Sequence, residues 1–162
     1  MVLDEVFLCK TGMATELDTI FQFVGWSSFA TIIELGSKIL TIEFLCTLHL
    51  TQTGVYFRLF TQEFCLTWRN LSDLLGFLAN TRLDLTEALK DFDMHKFWIE
   101  ISKEPFFHGN RTRDIEHPIV RFLHKWLGVA FFPQDDASKI RVIDLQLIYA
   151  AINKIRVSPI HA

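Results

Sequence analysis

The run Val55–Phe77, VYFRLFTQEFCLTWRNLSDLLGF, constrains the fold of this chain more than any other stretch. Its first part alternates, with Val55, Phe57 and Leu59 on one side of a strand and Tyr56, Arg58 and Phe60 on the other. After Thr61-Gln62 the run Phe64-Cys65-Leu66 is again strand-like, so the spacing predicts a hairpin over about 53–66. A helix follows whose two ends are both written in the sequence. Thr67 is suited to the N-cap, where its hydroxyl accepts from an unpaired first-turn amide. Leu66 and Leu71 occupy the two positions of a hydrophobic staple. Gly76 stands where a left-handed residue closes a helix, and Phe77 folds back on the last turn. Local signals that agree in this way mark a foldable segment.

The chain of 162 residues is expected to form one domain, 1–162, because two would be cramped. Residues 1–14 are expected to be a poorly ordered N-terminal segment. Half of the residues are hydrophobic, which allows a large core, and 16 phenylalanines and four tryptophans dominate the apolar inventory. Most of these rings belong in a core, and the surplus points to an exposed patch that meets a partner. A net charge of -3 removes the long-range positive field of a dedicated nucleic-acid binder. Cys9, Cys46 and Cys65 are far apart and odd in number, so they read as reduced thiols and not as a zinc ribbon or a redox pair. Asp4 and Glu5 stand where a signal peptide carries positive charge. The longest uncharged stretch, Thr19 to Ile33, is shorter than the ~20 apolar residues of a membrane span and is broken by Gln22, Gly25, Ser27 and Ser28. The expectation is an intracellular protein of cytoplasm or nucleus, with no signal peptide or membrane span.

Helical periodicity marks several further elements. Leu17, Ile20, Phe21 and Val24 form a stripe between Thr15 and Gly25, and a second apolar helix is expected from about Ile39 to Leu50 with Phe44, Leu45 and Leu48 buried. Leu85 to Phe92 reads as a short helix capped by Thr86, and Met94, Phe97, Trp98 and Ile101 as another behind Asp93. Pro105 to Arg113 is the most loop-like segment. Pro118 suits the first position of a helix with the stripe Ile119, Phe122, Leu123 and Trp126, ended by Gly128. Pro133-Gln134-Asp135-Asp136 between two apolar runs predicts a second hairpin over about 129–142, and a last helix starts at an Asp144 cap. The fold class is α+β, mainly helical, with two small β-hairpins.

No motif supports catalysis. Phosphate-binding glycine loops, G-x-S-x-G and H-E-x-x-H are all absent from the sequence. His108, His117 and His124 share one loop–helix region with Asp114 and Glu116, but a site needs converging groups. The plainer reading is a helix-start residue and a face residue. Asp91 with Asp93, and Asp135 with Asp136, lack a third ligand and read as a helix end and a turn. Cys46 among Phe44, Leu45 and Leu48 reads as a small core residue. Catalytic residues, cofactor and metal are therefore all expected to be none. Arg111, Arg113, Arg121 and Lys125 form a weak basic face around 111–125, which is either a solvated surface or a nucleic-acid contact.

The order of segments does resemble a known family. Thr41-Ile42-Glu43-Phe44-Leu45 is followed by Val55-Tyr56-Phe57-Arg58-Leu59, Phe64-Cys65-Leu66-Thr67-Trp68 and Leu74-Leu75-Gly76-Phe77. Then come Phe97-Trp98, Ile115-Glu116-His117-Pro118-Ile119-Val120-Arg121 and Arg141-Val142-Ile143-Asp144-Leu145. Over about Trp26 to Ile152 this resembles the first-open-reading-frame product of Athila-type plant retrotransposons of the gypsy class. The resemblance implies a retroelement-derived, non-enzymatic, Gag-like structural protein, here a truncated copy. It supplies no catalytic residues, and the Cys-Cys-His-Cys knuckle common in Gag proteins has no counterpart in this sequence. Self-association is the expected mode of action, with nucleic-acid contact through the 111–125 face as the alternative and no membrane partner. The face Tyr56, Arg58 and Phe60 is the expected partner surface, since two of its three residues are aromatic.

Overall fold

A computed structural model of the chain describes residues 5–32, 36–77, 80–131 and 136–161. In chain order it contains α1 (Glu5–Thr11), α2 (Ala14–Val24), α3 (Ser27–Ala30), α4 (Lys38–Thr47), β1 (His49–Leu50), β2 (Gly54–Leu59), β3 (Gln62–Thr67), α5 (Trp68–Leu74), α6 (Leu85–Ala88), α7 (Met94–Ser102), α8 (Pro118–Ala130) and α9 (Val142–Ile152). Short 3-10 turns occupy Thr112–Asp114 and Pro159–His161. The architecture is the mainly helical α+β class.

The core gathers on α9. Leu145, Leu147, Ile148, Ala150 and Ala151 are all buried, so this helix is apolar nearly all round, as a central helix must be. It packs against α2, α7 and α8. One end of the core is a knot of aromatic rings. Trp126 of α8 lies 4.7 Å from Phe21, 6.1 Å from Trp26 and 5.3 Å from Phe131, and Phe29 stacks on both Phe77 and Phe131. Each such pair adds about 1 kcal/mol beyond the area that it buries. The Trp26 indole N–H is satisfied by the Val157 carbonyl at 2.8 Å, which ties the end of α2 to the C-terminal segment.

The sheet has the order β1-β2-β3 and is antiparallel throughout. The paired residues Val55↔Leu66 and Phe57↔Phe64 share one face, where Phe57 stacks on Phe64 at 5.3 Å and meets Phe44 of α4 edge-on at 4.9 Å. Val55 and Phe57 are buried there, apart from the main core. The expected start of α5 is confirmed, since Thr67 accepts from the Asn70 amide at 3.1 Å. Its end is confirmed too. Gly76 has φ 80, and the Phe77 amide returns to the Ser72 carbonyl. Phe77 then enters the aromatic knot, so the stop signal of α5 also joins the sheet to the helical body. A Cβ on Gly76 would lie 2.8 Å from Cβ of Ser28, so the junction has room only for glycine.

Several expectations are corrected. The hairpin expected over 129–142 does not form, because α8 runs through Gly128 to Ala130 and Val142 already begins α9. Between them Lys139 forms an isolated bridge to Arg111, through the bonds Thr112 amide to Ser138 carbonyl and Ile140 amide to Asn110 carbonyl, and residues 132–135 lie outside the described residues. A glycine costs an exposed helix about 1 kcal/mol, which the burial of Leu123, Trp126 and Leu127 around Gly128 outweighs. Asp144 is not the N-cap of α9 but its third residue, where its carboxylate accepts from the Arg141 amide in a capping box. Asp84, not Thr86, caps α6. Within 1–14, Glu5–Thr11 form α1 and seat Leu8 in the core, while residues 1–4 lie outside the described residues. Finally, α4 ends at Thr47, and His49–Leu50 become an edge strand in place of a last helical turn.

Candidate functional site

The surface around α4 and the hairpin is built by an edge that the helix closes. In a two-residue hairpin the backbone groups of Tyr56 and Arg58 point away from β3. Tyr56 meets His49 of β1. At Arg58 no strand is available, and the Thr47 hydroxyl of α4 takes both groups, accepting from the Arg58 amide at 2.9 Å and donating to its carbonyl at 3.1 Å. The Phe60 amide donates to the Glu43 carboxylate at 3.0 Å. Residues 40, 43, 44 and 47 of α4 therefore face the sheet. The opposite face carries Ile39, Ile42 and Leu45, which are 78, 51 and 63% exposed. Leu45 was expected to be buried with Phe44 and Leu48, and is instead on this outer stripe. A three-stranded sheet covers only one side of a helix that is apolar all round.

Tyr56 and Arg58 do project from the sheet face away from Val55 and Phe57, and Phe60 is 73% exposed. Phe60 is not on the strand, however. It occupies the first position of the turn, with φ 50, followed by Thr61 with φ 65. Both angles are positive, the type I′ geometry that favours Asn-Gly and strains a phenylalanine. Glu63 lies beside Tyr56 and, through a hydrogen bond, raises the pKa of its phenol. The strand β3 is the open edge of the sheet. Among the described residues no backbone group pairs with its outer side.

The four basic residues of the 111–125 region are not equivalent. Arg111 donates to Asp136 at 2.7 Å and to the Ser138 hydroxyl, bracing the loop before α9. Arg121 donates through Nε and Nη2 to the Ile115 carbonyl, closing the turn before α8. Arg113 is exposed, 3.7 Å from Asp114, and Lys125 is exposed on α8. Two of the four guanidinium and ammonium groups thus hold the fold.

His124 was read as a face residue and is fully buried. The sequence placed it seven residues from His117, but not opposite Thr112 and Asp144, which come from other elements. Its Nδ1 lies 2.9 Å from the Thr112 hydroxyl, and its Nε2 lies 3.6 Å from Oδ2 of Asp144. The Thr112 hydroxyl donates to the Ser138 carbonyl at 3.1 Å and lies against Nδ1 of the ring, so it joins the histidine to the loop before α9. Burial pushes the pKa of Asp144 up, but the His124 ring and the Arg141 guanidinium and amide hold it below the usual carboxylate range. At 3.6 Å the histidine contact is long for a hydrogen bond, so the Arg141 contacts at 2.7, 3.0 and 3.0 Å are the firmer hold. Hydroxyl, imidazole and carboxylate in a row have the order of a catalytic triad, yet all three are buried. The arrangement is a polar clamp between the 3-10 turn, α8 and α9. His108 and His117 are exposed, and among the described residues no group of histidine, cysteine, aspartate and glutamate is placed to hold a metal.

A hairpin-and-helix block, a sealed polar cluster and an apolar outer stripe are thus the features that the fold presents. The model of the ATHILA ORF-1 family matches residues 4–156. The chain belongs to the ATHILA ORF-1 family. It is a Gag-like protein derived from a plant retrotransposon. No curated protein and no solved structure matches it. Among the described residues, no helix of this ATHILA ORF-1 chain is long and apolar enough to cross a membrane. The outer stripe of α4 is the feature that reading the sequence missed. Its signal was present, since Ile39, Leu40, Ile42, Phe44 and Leu45 surround the helix and one small sheet cannot cover them all.

Proposed function

We propose that this ATHILA ORF-1 chain is a non-enzymatic structural protein that acts by associating with further copies of itself. The observation that carries the reading is the apolar outer face of α4, Ile39, Ile42 and Leu45, on a helix whose inner face is already packed. Glu43 of the same helix holds the Phe60 amide, and the Phe60 ring is itself exposed. Two copies related by a twofold axis place the same stripe against itself, which is the geometry of an isologous contact. Tyr56 and Arg58 belong to the adjoining sheet face, and the unpaired side of β3 supplies a second route to contact between copies. The His124–Asp144 cluster supports the non-enzymatic part of the reading, as its polar groups are buried.

Sedimentation velocity across a wide concentration range tests the proposal. The expected result is a weight-average sedimentation coefficient that rises with concentration. A single monomeric species at every concentration would overturn it. Nucleic-acid contact through Arg111, Arg113, Arg121 and Lys125 is the weaker proposal, because Arg111 and Arg121 already hold backbone and carboxylate partners within the chain.

A further inference from the structure

A cleft of about 540 Å³ opens on the opposite functional question, what this scaffold holds apart from its own copies. It lies where the start of α2, the end of α7, the start of α8 and the end of α9 meet. The floor is aliphatic, with Ile20, Ile101, Ile119, Val120 and Ile152. The volume is that of a ligand-sized site, and the cleft is open to solvent. Its walls are tied together by the Glu116 amide, which donates to the Ile101 carbonyl at 2.9 Å.

The rim carries three carboxylates, Glu16, Glu100 and Glu116, against the one ammonium of Lys103. The three carboxylates are exposed, and among the described residues none has an ion-pair partner. The Lys103 ammonium is turned back onto the Glu100 carbonyl at 2.8 Å, against the end of its own helix. Helix ends do not decide the sign, because α2 and α8 bring their N-termini and α7 and α9 their C-termini. The carboxylates decide it. They come from three elements, at positions 16, 100 and 116, and surround one aliphatic floor. A groove of this kind is complementary to a chain that alternates aliphatic and cationic side chains.

We propose that this cleft binds a basic polypeptide segment, its aliphatic side chains on the isoleucine floor and its lysine or arginine groups between Glu16, Glu100 and Glu116. The proposal is independent of self-association through α4, which lies on other elements. The test is fluorescence anisotropy with a fluorescein-labelled peptide alternating leucine and lysine, titrated with the full chain. A matched peptide with glutamate in place of lysine serves as control. Saturable binding of the basic peptide is expected, at least roughly tenfold tighter than the acidic one. The variant Glu16→Gln/Glu100→Gln/Glu116→Gln is expected to weaken it by roughly tenfold or more, as three screened charge contacts would. Removal of three carboxylates elsewhere, by Asp73→Asn/Glu87→Gln/Asp91→Asn, is expected to leave the affinity within about twofold, and Ile152→Ser, at a partly exposed floor position, to weaken it while leaving the melting temperature in place. Equal loss in the two neutralised variants, equal binding of the acidic peptide, or no saturable binding to the unaltered chain would each overturn the proposal.

Discussion

At Asp144, burial and pairing act in opposite directions, and pairing wins. A carboxyl held below its ordinary pKa contributes stability that is complete above the unfolded value of about 3.9 and is lost as pH falls through the folded value. Asp136 has the same sign, lowered to about 2, first by hydrogen bonds from Ser138 and then by Arg111. Both groups place the loss on the acid side, so the melting temperature is expected to be level from pH 7 to about 4.5 and to fall below that. A profile flat to pH 2 would contradict this. Asp144→Asn is expected to cost about 2–4 kcal/mol in denaturant unfolding, because the fully buried side chain loses its charge partner while Arg141 reaches water. The turn residues offer a test of opposite sign. Phe60 and Thr61 both carry positive φ, so Phe60→Asn/Thr61→Gly is expected to raise stability by about 1 kcal/mol. The same change removes an exposed ring from the proposed contact, so stability and association should move in opposite directions.

At the scale of elements, α5 shows what local sequence can specify. Its cap, its stop and the hairpin before it are all local arrangements, and all are present in the fold. Thr67→Ala is expected to cost about 1 kcal/mol through the lost cap. Gly76→Ala is expected to cost more, because a left-handed backbone and the 2.8 Å approach to Ser28 act together. An equal or smaller loss at Gly76 would place the junction with α3 elsewhere. The errors have the complementary cause. Gly128 reads as a stop and Asp144 as a cap when neighbours in sequence are considered, but α8 continues because its far side is buried, and Asp144 serves the cap from the third position. Arg111 and Arg121 look like a surface patch because their acceptors, Asp136 and the Ile115 carbonyl, become neighbours only through turns. The apolar character of α4 was legible, but which side the sheet would cover was not. The cleft carboxylates, 84 residues apart between Glu16 and Glu100, carry no shared sequence signal at all.

For the whole molecule, the division of its apolar surface matters most. The main core satisfies α2, α7, α8 and α9, and the aromatic knot joins it to the hairpin block through Phe77. On the other side of that block α4 leaves an aliphatic stripe uncovered, in a protein of the ATHILA ORF-1 family, whose proposed role is to assemble. If the stripe is the contact, its polar replacement should weaken association without unfolding the chain, since none of the three side chains is in the core. The most direct measurement is sedimentation equilibrium of the unaltered chain beside the variant Ile39→Ser/Ile42→Ser/Leu45→Ser, with melting curves of both. The account predicts a self-association constant at least roughly tenfold weaker in the variant, at an unchanged melting temperature. Association of equal strength in the two proteins would contradict it.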